Sequence, residues 1–323
     1  MPDQLNSISP LDGRYNKDVA VLSHYFSESA LMRYRLQVEI EYLIALSNEN
    51  KITALPQIPK TLQTTLRKLY EKFDSRAARR IKKIETQTNH DVKAIEKYIS
   101  EKLNKININK FIPWVHFGLT SEDVNNIAYS LMWRDGIKYV YLPMLNALQK
   151  EIKKLSRLYR SVAMLALTHG QPATPTTFGK EMAVFCSRLN QQINQLKTRK
   201  LLGKFGGATG TWSAHLSAYP KVNWIRFSSR FIKALGLEPN LLTTQIESHD
   251  STAESYQQVV RVNTILTDLC RDLWFYISRG IIGQKKVIGE VGSSTMPHKI
   301  NPIQFELSLI HISEPTRPLY ISY

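Results

Sequence analysis

Four stretches of this chain, residues 17–48, 122–158, 177–201 and 251–279, carry apolar side chains at steps of three and four. That is the period of a helix with one buried face. Their length is the constraint. A globular helix averages about 11–12 residues, and several of these stretches run past 25. Helices that long, striped on one side, bury the stripe against each other, which predicts a bundle. In the last stretch the predicted buried face is Tyr256, Val259, Val260, Ile265, Leu269, Leu273 and Tyr276, and Ser251 with Glu254 three residues on reads as a capping box. Strand-like alternation is scarce, and there is no internal repeat or low-complexity linker. The predicted class is all-α, a long central helix bundle preceded by a small helical N-terminal domain.

The joints carry information too. Residues 104–120 break the helical period and separate an N-terminal domain, 1–112, from a central bundle, 113–306. The stretches 168–176, 203–220 and 284–302 read as polar, Gly/Pro-rich loops between long helices. They hold His, Thr, Ser, Asn and Gln rather than simple turn residues, and loops on a rigid scaffold are where sites gather.

Composition removes several function classes. The 43 basic against 27 acidic residues leave a net charge of +16, which suits an anionic partner or a solvated surface. The basic run "RAARRIKK" (76–83) puts Arg76, Arg79, Arg80 and Lys83 on one helical face with no aromatic residues between them, so it reads as solvated surface and not as a nucleic-acid site. Cys186 and Cys270 are the two cysteines, far apart, which argues against a disulfide framework or a zinc site and fits a reducing, cytoplasmic setting. The first residues lack the pattern of a secretory signal, and no window approaches 18 unbroken apolar residues, so no membrane role is expected.

Several short stretches could carry chemistry. "GGATG" (206–210) lacks the setting of a nucleotide phosphate loop and reads as a tightly packed turn. "QTNHDV" (87–92) is a helix start beside a surface histidine on the plain reading. "LTSEDVNN" (119–126) has a capping pattern whose backbone N–H groups also suit a carboxylate or phosphate. "THGQPATP" (168–175) sets His169 before a glycine and two prolines on a stiff loop, where an imidazole is either inert or a proton donor near neutral pH.

"GSSTMPHKINP" (292–302) is the strongest of them. A proton on carbon next to a carboxylate is hardly acidic. Its removal leaves charge that spreads onto the carboxylate, and fixed donors must meet that charge as it develops. Lys299 supplies a cation and Asn301 an amide. Ser293 serves as base only as an alkoxide, where positive charge depresses its pKa. The plain alternative is a Ser-rich hinge with a structural Lys–Asn pair.

That loop resembles the signature of the fumarase/aspartase superfamily. With "SPLDGRY" (9–15), "TNHDVKAIE" (88–96), "HFGLTSEDVNN" (116–126), "THGQPATP" and "TTQIESHD" (243–250), in the same order from about residue 8 to residue 306, the chain is similar to the bacterial-type branch that acts on succinylated purine nucleotides. The resemblance implies an all-helical homotetramer with each active site shared between subunits, and no metal or organic cofactor. It implies elimination of fumarate from the succinylated adenine nucleotide, giving AMP, and from the succinyl-carboxamide imidazole ribotide of purine synthesis. By the same resemblance Ser293 takes the Cβ proton. His169 protonates the departing nitrogen, with His90 close by. Lys299 and Asn301 steady the aci-carboxylate. Thr120 and Ser121 hold a succinyl carboxylate, Gln245 and Ser294 contact substrate, Arg14 and Tyr15 reach the phosphate, and Asn89 and Asp91 lie near the nucleotide.

The departure is at the end. The superfamily's bundle helix continues past "NPIQFE" into a C-terminal helical domain, which is missing here. Residues 307–323, "LSLIHISEPTRPLYISY", place two prolines where that helix should run, and proline inside a helix costs about 3 kcal/mol. The tail is expected not to be native. The absent segment carries part of the family's phosphate site, so this chain is expected to be weak or inactive as written. Another lyase of the superfamily, an inactive fragment and a basic helical nucleic-acid binder are the alternatives.

Overall fold

The structure, a computed structural model, describes residues 4–285, 295–296 and 299–313. Ser293 and Ser294 lie outside the described residues. In chain order the main elements are α1 (Glu28–Ser47), α2 (Lys60–Glu71), α3 (Ser75–Thr88), α4 (Asp91–Lys105), α5 (Ser121–Gly136), α6 (Leu142–Leu158), β1 (Ala163–Thr168), β2 (Gln171–Thr177), α7 (Phe178–Thr198), β3 (Leu202–Lys204), α8 (Ser213–Ala218), α9 (Trp224–Ala234), β4 (Glu238–Asn240), α10 (Asp250–Ser278) and α11 (Ile303–Ser313). The all-α class is as expected, with two small two-stranded ribbons added. The chain forms two compact units: Met1–Tyr141 with Lys200–Ala253, and Leu142–Arg199 with Glu254–Tyr323. The expected boundary at 112/113 therefore falls inside the first unit, and residues 113–306 are divided between both.

In the first unit, α1 is the hub. Leu36, Ile40, Tyr42, Leu43 and Leu46 are fully buried, and burial extends to every side of the helix. A helix apolar all round must be enclosed, and α1 is packed by α2, α4 and α5. The predicted helix 17–48 is interrupted at Ser27. That residue is extended (φ −77°, ψ 163°), and its side chain accepts the Ala30 N–H, so α1 starts afresh there. Strands β3 and β4 pair in parallel, Leu202 opposite Glu238 and Lys204 opposite Asn240.

In the second unit, Leu145 and Ile152 of α6, Met182, Phe185, Leu189, Ile193 and Leu196 of α7, and Val262, Ile265, Leu269 and Tyr276 of α10 are buried at three- and four-residue steps. Two details of the expected α10 differ. Its inner face is Ser255, Gln258, Val262, Ile265, Leu269 and Tyr276, whereas Tyr256 and Val260 are about half exposed. Those two are rotated off the buried stripe by one or two positions, each worth ~100° on a helix. Ser251 lies inside the helix and not at its cap, and its hydroxyl accepts the Leu202 N–H. At the other end α11 continues to Ser313, two residues short of Pro315.

Residues 168–176 were expected as a loop and are instead most of a β-hairpin. Thr168 pairs with Gln171 across the two-residue turn His169–Gly170, whose φ angles are +52° and +72°. Two successive positive φ values match the right-handed twist of a hairpin, as in a type I′ turn. Pro172 and Pro175 are tolerated because a two-stranded ribbon is all edge, and the register shifts between Leu165 and Leu167. Prolines that argued against a strand in the sequence therefore sit in one.

Candidate active site

The first unit gathers four of the motif stretches around the N-terminal turn of α5. Thr120 is the N-cap, extended at φ −106°, ψ 158°, and its N–H donates to the Asp123 carboxylate at 2.9 Å. Asp123 also accepts from Gly206 and Gly207 N–H at 3.0 and 3.1 Å and pairs with the Lys204 ammonium at 2.7 Å. Both side chains of that pair are fully buried. Asn126 completes the tie, accepting the Lys204 N–H at 2.7 Å and donating to the Lys204 carbonyl at 3.0 Å. The glycine-rich turn is thus packed as expected, and its amides at 206 and 207 are occupied by Asp123.

The stretch 88–96 forms a tight corner. Asn89 ends α3 in the left-handed region (φ 49°), and His90 caps α4, its Nδ1 accepting the Lys93 N–H at 3.2 Å. In the neutral ring that contact leaves the proton on Nε2, on a side chain that is half exposed. Burial opposes ionisation of Asp91, but the Arg35 guanidinium at 2.6 Å holds its carboxyl below the usual range. Arg35 also donates to Asn125 of α5 at 2.9 Å, so one arginine joins the corner to the helix start.

His116 lies just before the cap, with φ +60°. Its Nδ1 is 2.5 Å from the buried Glu39 carboxylate, and its N–H donates to the same group at 3.2 Å. Burial works against a charged ring, yet the hydrogen bond and charge of Glu39, with Glu96 and Asp123 behind it, raise its pKa. His249 (φ +62°) also meets α5, 3.7 Å from Glu122, whose pKa burial raises, and lies 3.5 Å from the buried Glu247. Gln245, four residues earlier, is exposed. A non-glycine residue at positive φ costs on the order of 1–3 kcal/mol and tends to occur at functional sites. Asn89, His116, His169 and His249 all do so within the motif stretches.

Not every site residue joins this cluster. Arg14 is exposed and Tyr15 partly so, on the turn that leads into the single-turn helix Asn16–Val19. His169, Lys299 and Asn301 belong to the second unit. His169 is exposed at the hairpin tip. Lys299 is exposed, with its N–H donating to the Met296 carbonyl at 3.0 Å, and Asn301 is partly buried. Among the described residues no group of His, Cys, Asp and Glu could hold a metal ion, and no helix is long and apolar enough to cross a membrane. A cavity of about 930 Å³ in the first unit is bounded by Trp212, Leu216, Trp224, Ile225, Leu242 and Ile246. Its lining is apolar and holds none of the expected site residues, so it does not suit a substrate with two carboxylates and a phosphate.

Sequence reasoning missed Glu39, His116, Lys204 and His215. Lys204 carried a signal, since it is a lone charge inside a glycine-rich run, whereas Glu39 shares its apolar run with Glu41 and does not stand out. His215 is fully buried among Tyr42, Phe117, Phe205 and Trp224. The Tyr42 hydroxyl gives its one proton to the Phe117 carbonyl at 2.6 Å, so His215 Nε2 must be the donor to Tyr42 at 3.0 Å, and Nδ1 is an acceptor without a hydrogen-bond partner. Burial pushes the His215 pKa down to about 4, only partly offset by Asp123. The unfolded ring therefore takes up a proton between pH 6.5 and 4 while the folded one does not. Stability is lost as the pH falls through that window, by about 3 kcal/mol in all. His215→Gln is expected to be less stable at pH 7 but flatter between pH 6.5 and 4 in thermal melts. An unchanged acid slope would contradict this.

The sequence profile of the Lyase family matches residues 13–314, and the chain belongs to that family. It is 45% identical over 305 residues to adenylosuccinate lyase of Haemophilus influenzae, covering 94% of this chain and 67% of that protein. It is 47% identical over 311 residues to adenylosuccinate lyase of Dictyostelium discoideum, with the same coverage of each chain. The chain thus spans about two thirds of the length of the curated relatives it matches. Two solved structures share the fold. Fumarate lyase from Mesorhizobium sp. BNC1 has a TM-score of 0.65 at 20% identity over 91% of this chain and 62% of that one. The 3-carboxy-cis,cis-muconate lactonizing enzyme from Pseudomonas putida has 0.67 at 22% over 90% and 62%.

Proposed function

We propose that this chain eliminates fumarate from adenylosuccinate, giving AMP, and from the succinyl-carboxamide imidazole ribotide of purine synthesis. The observation that carries this reading is the 45–47% identity, over 94% of the chain, to adenylosuccinate lyases. In it, Ser293 removes the Cβ proton of the succinyl group while Lys299 and Asn301 meet the charge that develops on the neighbouring carboxylate. His169 gives a proton to the departing nitrogen, with His90 beside it. Thr120 and Ser121 hold a carboxylate at the start of α5, where the positive end of a helix favours an anion. Gln245 and Ser294 contact substrate, Arg14 and Tyr15 reach its phosphate, and Asn89 and Asp91 lie near the nucleotide. Side chains perform each of these steps, so the reaction as written needs no metal or organic cofactor. The +16 net charge gives the anionic substrate a favourable field.

The same reading makes the chain a homotetramer with shared sites. Met144, Leu148 and Leu155 on α6, and Tyr256 and Val260 on α10, form exposed apolar stripes of the kind a further copy would cover. Sedimentation of the chain should show an assembly, and a monomer at all concentrations contradicts it. The activity is tested by offering adenylosuccinate, the imidazole ribotide, argininosuccinate and aspartate side by side. Fumarate is expected from the first two, and slow release counts as much as fast. Equal fumarate release from argininosuccinate or aspartate overturns the assignment.

A further inference from the structure

Asp123 presents a puzzle for any reading in which α5 begins with a carboxylate site. A fully buried carboxylate one turn behind the cap would repel an anionic ligand there. It also holds the Thr120 N–H, a donor the ligand could otherwise use. The counter-charge is Lys204. Its ammonium is buried with Asp123 at 2.7 Å and donates also to the Gly207 carbonyl at 2.6 Å. Its backbone is fixed from both sides by Asn126 of α5. Lys204 therefore has no freedom to leave and no water to screen it.

We propose that Lys204 is a positioning residue for substrate binding: by neutralising Asp123 beneath the first turn of α5, it sets the affinity of that turn for the dicarboxylate end of the substrate. The inference rests on the elimination reading above and adds to it a residue that touches no reacting atom. Interactions between charges in a low-dielectric interior are weakly screened, so loss of the ammonium is felt by a neighbouring anion. The ionisable groups facing Asp123 are Lys204 on β3, Glu122 on α5, His116 before it, His215 on α8, and Tyr42 on α1.

The test is fumarate binding to the chain by calorimetry at pH 8, for wild type, Lys204→Met and the double variant Lys204→Met/Asp123→Asn, with adenylosuccinate turnover measured separately. Removing one partner of a buried pair can prevent folding, whereas replacing both by neutral groups is often tolerated, so thermal melts accompany each variant. Lys204→Met is expected to bind fumarate on the order of tenfold more weakly at pH 8. The double variant should recover much of the affinity, which assigns the loss to the uncompensated charge of Asp123 and not to the other four groups. If Lys204→Met does not fold, recovery of near wild-type affinity by the double variant is the expected result. Equal affinity in wild type and Lys204→Met overturns the proposal. So does an equal loss in both variants, which marks the pair as purely structural. Fumarate binding with this pattern but with argininosuccinate turned over as well as adenylosuccinate overturns the elimination reading instead and leaves Lys204 its role.

Discussion

Replacing His169 by alanine is expected to lower adenylosuccinate turnover about 10²–10⁴-fold, with fumarate affinity changed by no more than about twofold. The position makes the experiment clean. The ring is exposed at the tip of a two-stranded ribbon and is part of no core cluster, so its removal leaves no cavity. Its backbone is held at φ +52° by the hairpin, and a turn residue in that region is strained unless something maintains it. Alanine there costs a little stability at most. His90 is the less clean comparison, because its imidazole also caps α4 and its loss removes a helix cap worth roughly 1 kcal/mol. Kinetics of both variants, with melts alongside, check this. A His169→Ala variant with unchanged turnover contradicts the acid role, as does one whose loss lies entirely in substrate affinity.

The second large effect is structural. Gly210→Ala is expected to destabilise the first unit by roughly 3 kcal/mol or more. A Cβ at Gly210 would lie 2.2 Å from the Thr243 carbonyl oxygen and 2.8 Å from that of Thr244, and both are backbone atoms that cannot swing away. Gly170 provides the control. Its φ of +72° nearly equals the +76° of Gly210, but a Cβ there meets nothing within 4 Å. Gly170→Ala should therefore show only the conformational cost, about 1–2 kcal/mol. Chemical denaturation of the two variants separates space from backbone preference. Because Thr243 and Thr244 lead directly into Gln245, Gly210→Ala should also weaken substrate binding in the fraction that folds. Similar losses for both glycine variants would mean the close approach at 210 relaxes freely.

Much of this molecule is readable from its periodicity. The long segments are helices because their apolar residues recur at helical steps, and α7 and α10 follow their predicted limits within about three residues. What periodicity could not reveal has a physical cause in each case. Ser27 breaks the first long segment because a serine N-cap competes with helix continuation there. The inner face of α10 was misread at Tyr256 and Val260 because their hydrophobicity is genuine, but it faces outward. The 163–177 hairpin was hidden by its prolines, which punctuate a sequence whether or not the backbone is extended. The chemistry-bearing loops could be found because their residue types are costly for a simple turn. Their supports could not. Glu39 behind His116 and Lys204 behind Asp123 act through tertiary burial, and one sequence shows charge but not what surrounds it.

One measurement tests the elimination directly. Adenylosuccinate carrying ¹⁵N at the 6-amino nitrogen is incubated with the chain, and the products are separated by mass. If the Cβ proton is removed and the bond from nitrogen to the succinyl carbon breaks, the label stays on the purine, as AMP, and the carbon skeleton leaves as unlabelled fumarate. Label recovered in aspartate, with an oxygen in place of the amino group on the purine, would mean hydrolysis on the other side of the nitrogen, and the roles assigned to His169, Lys299 and Asn301 would fail with it.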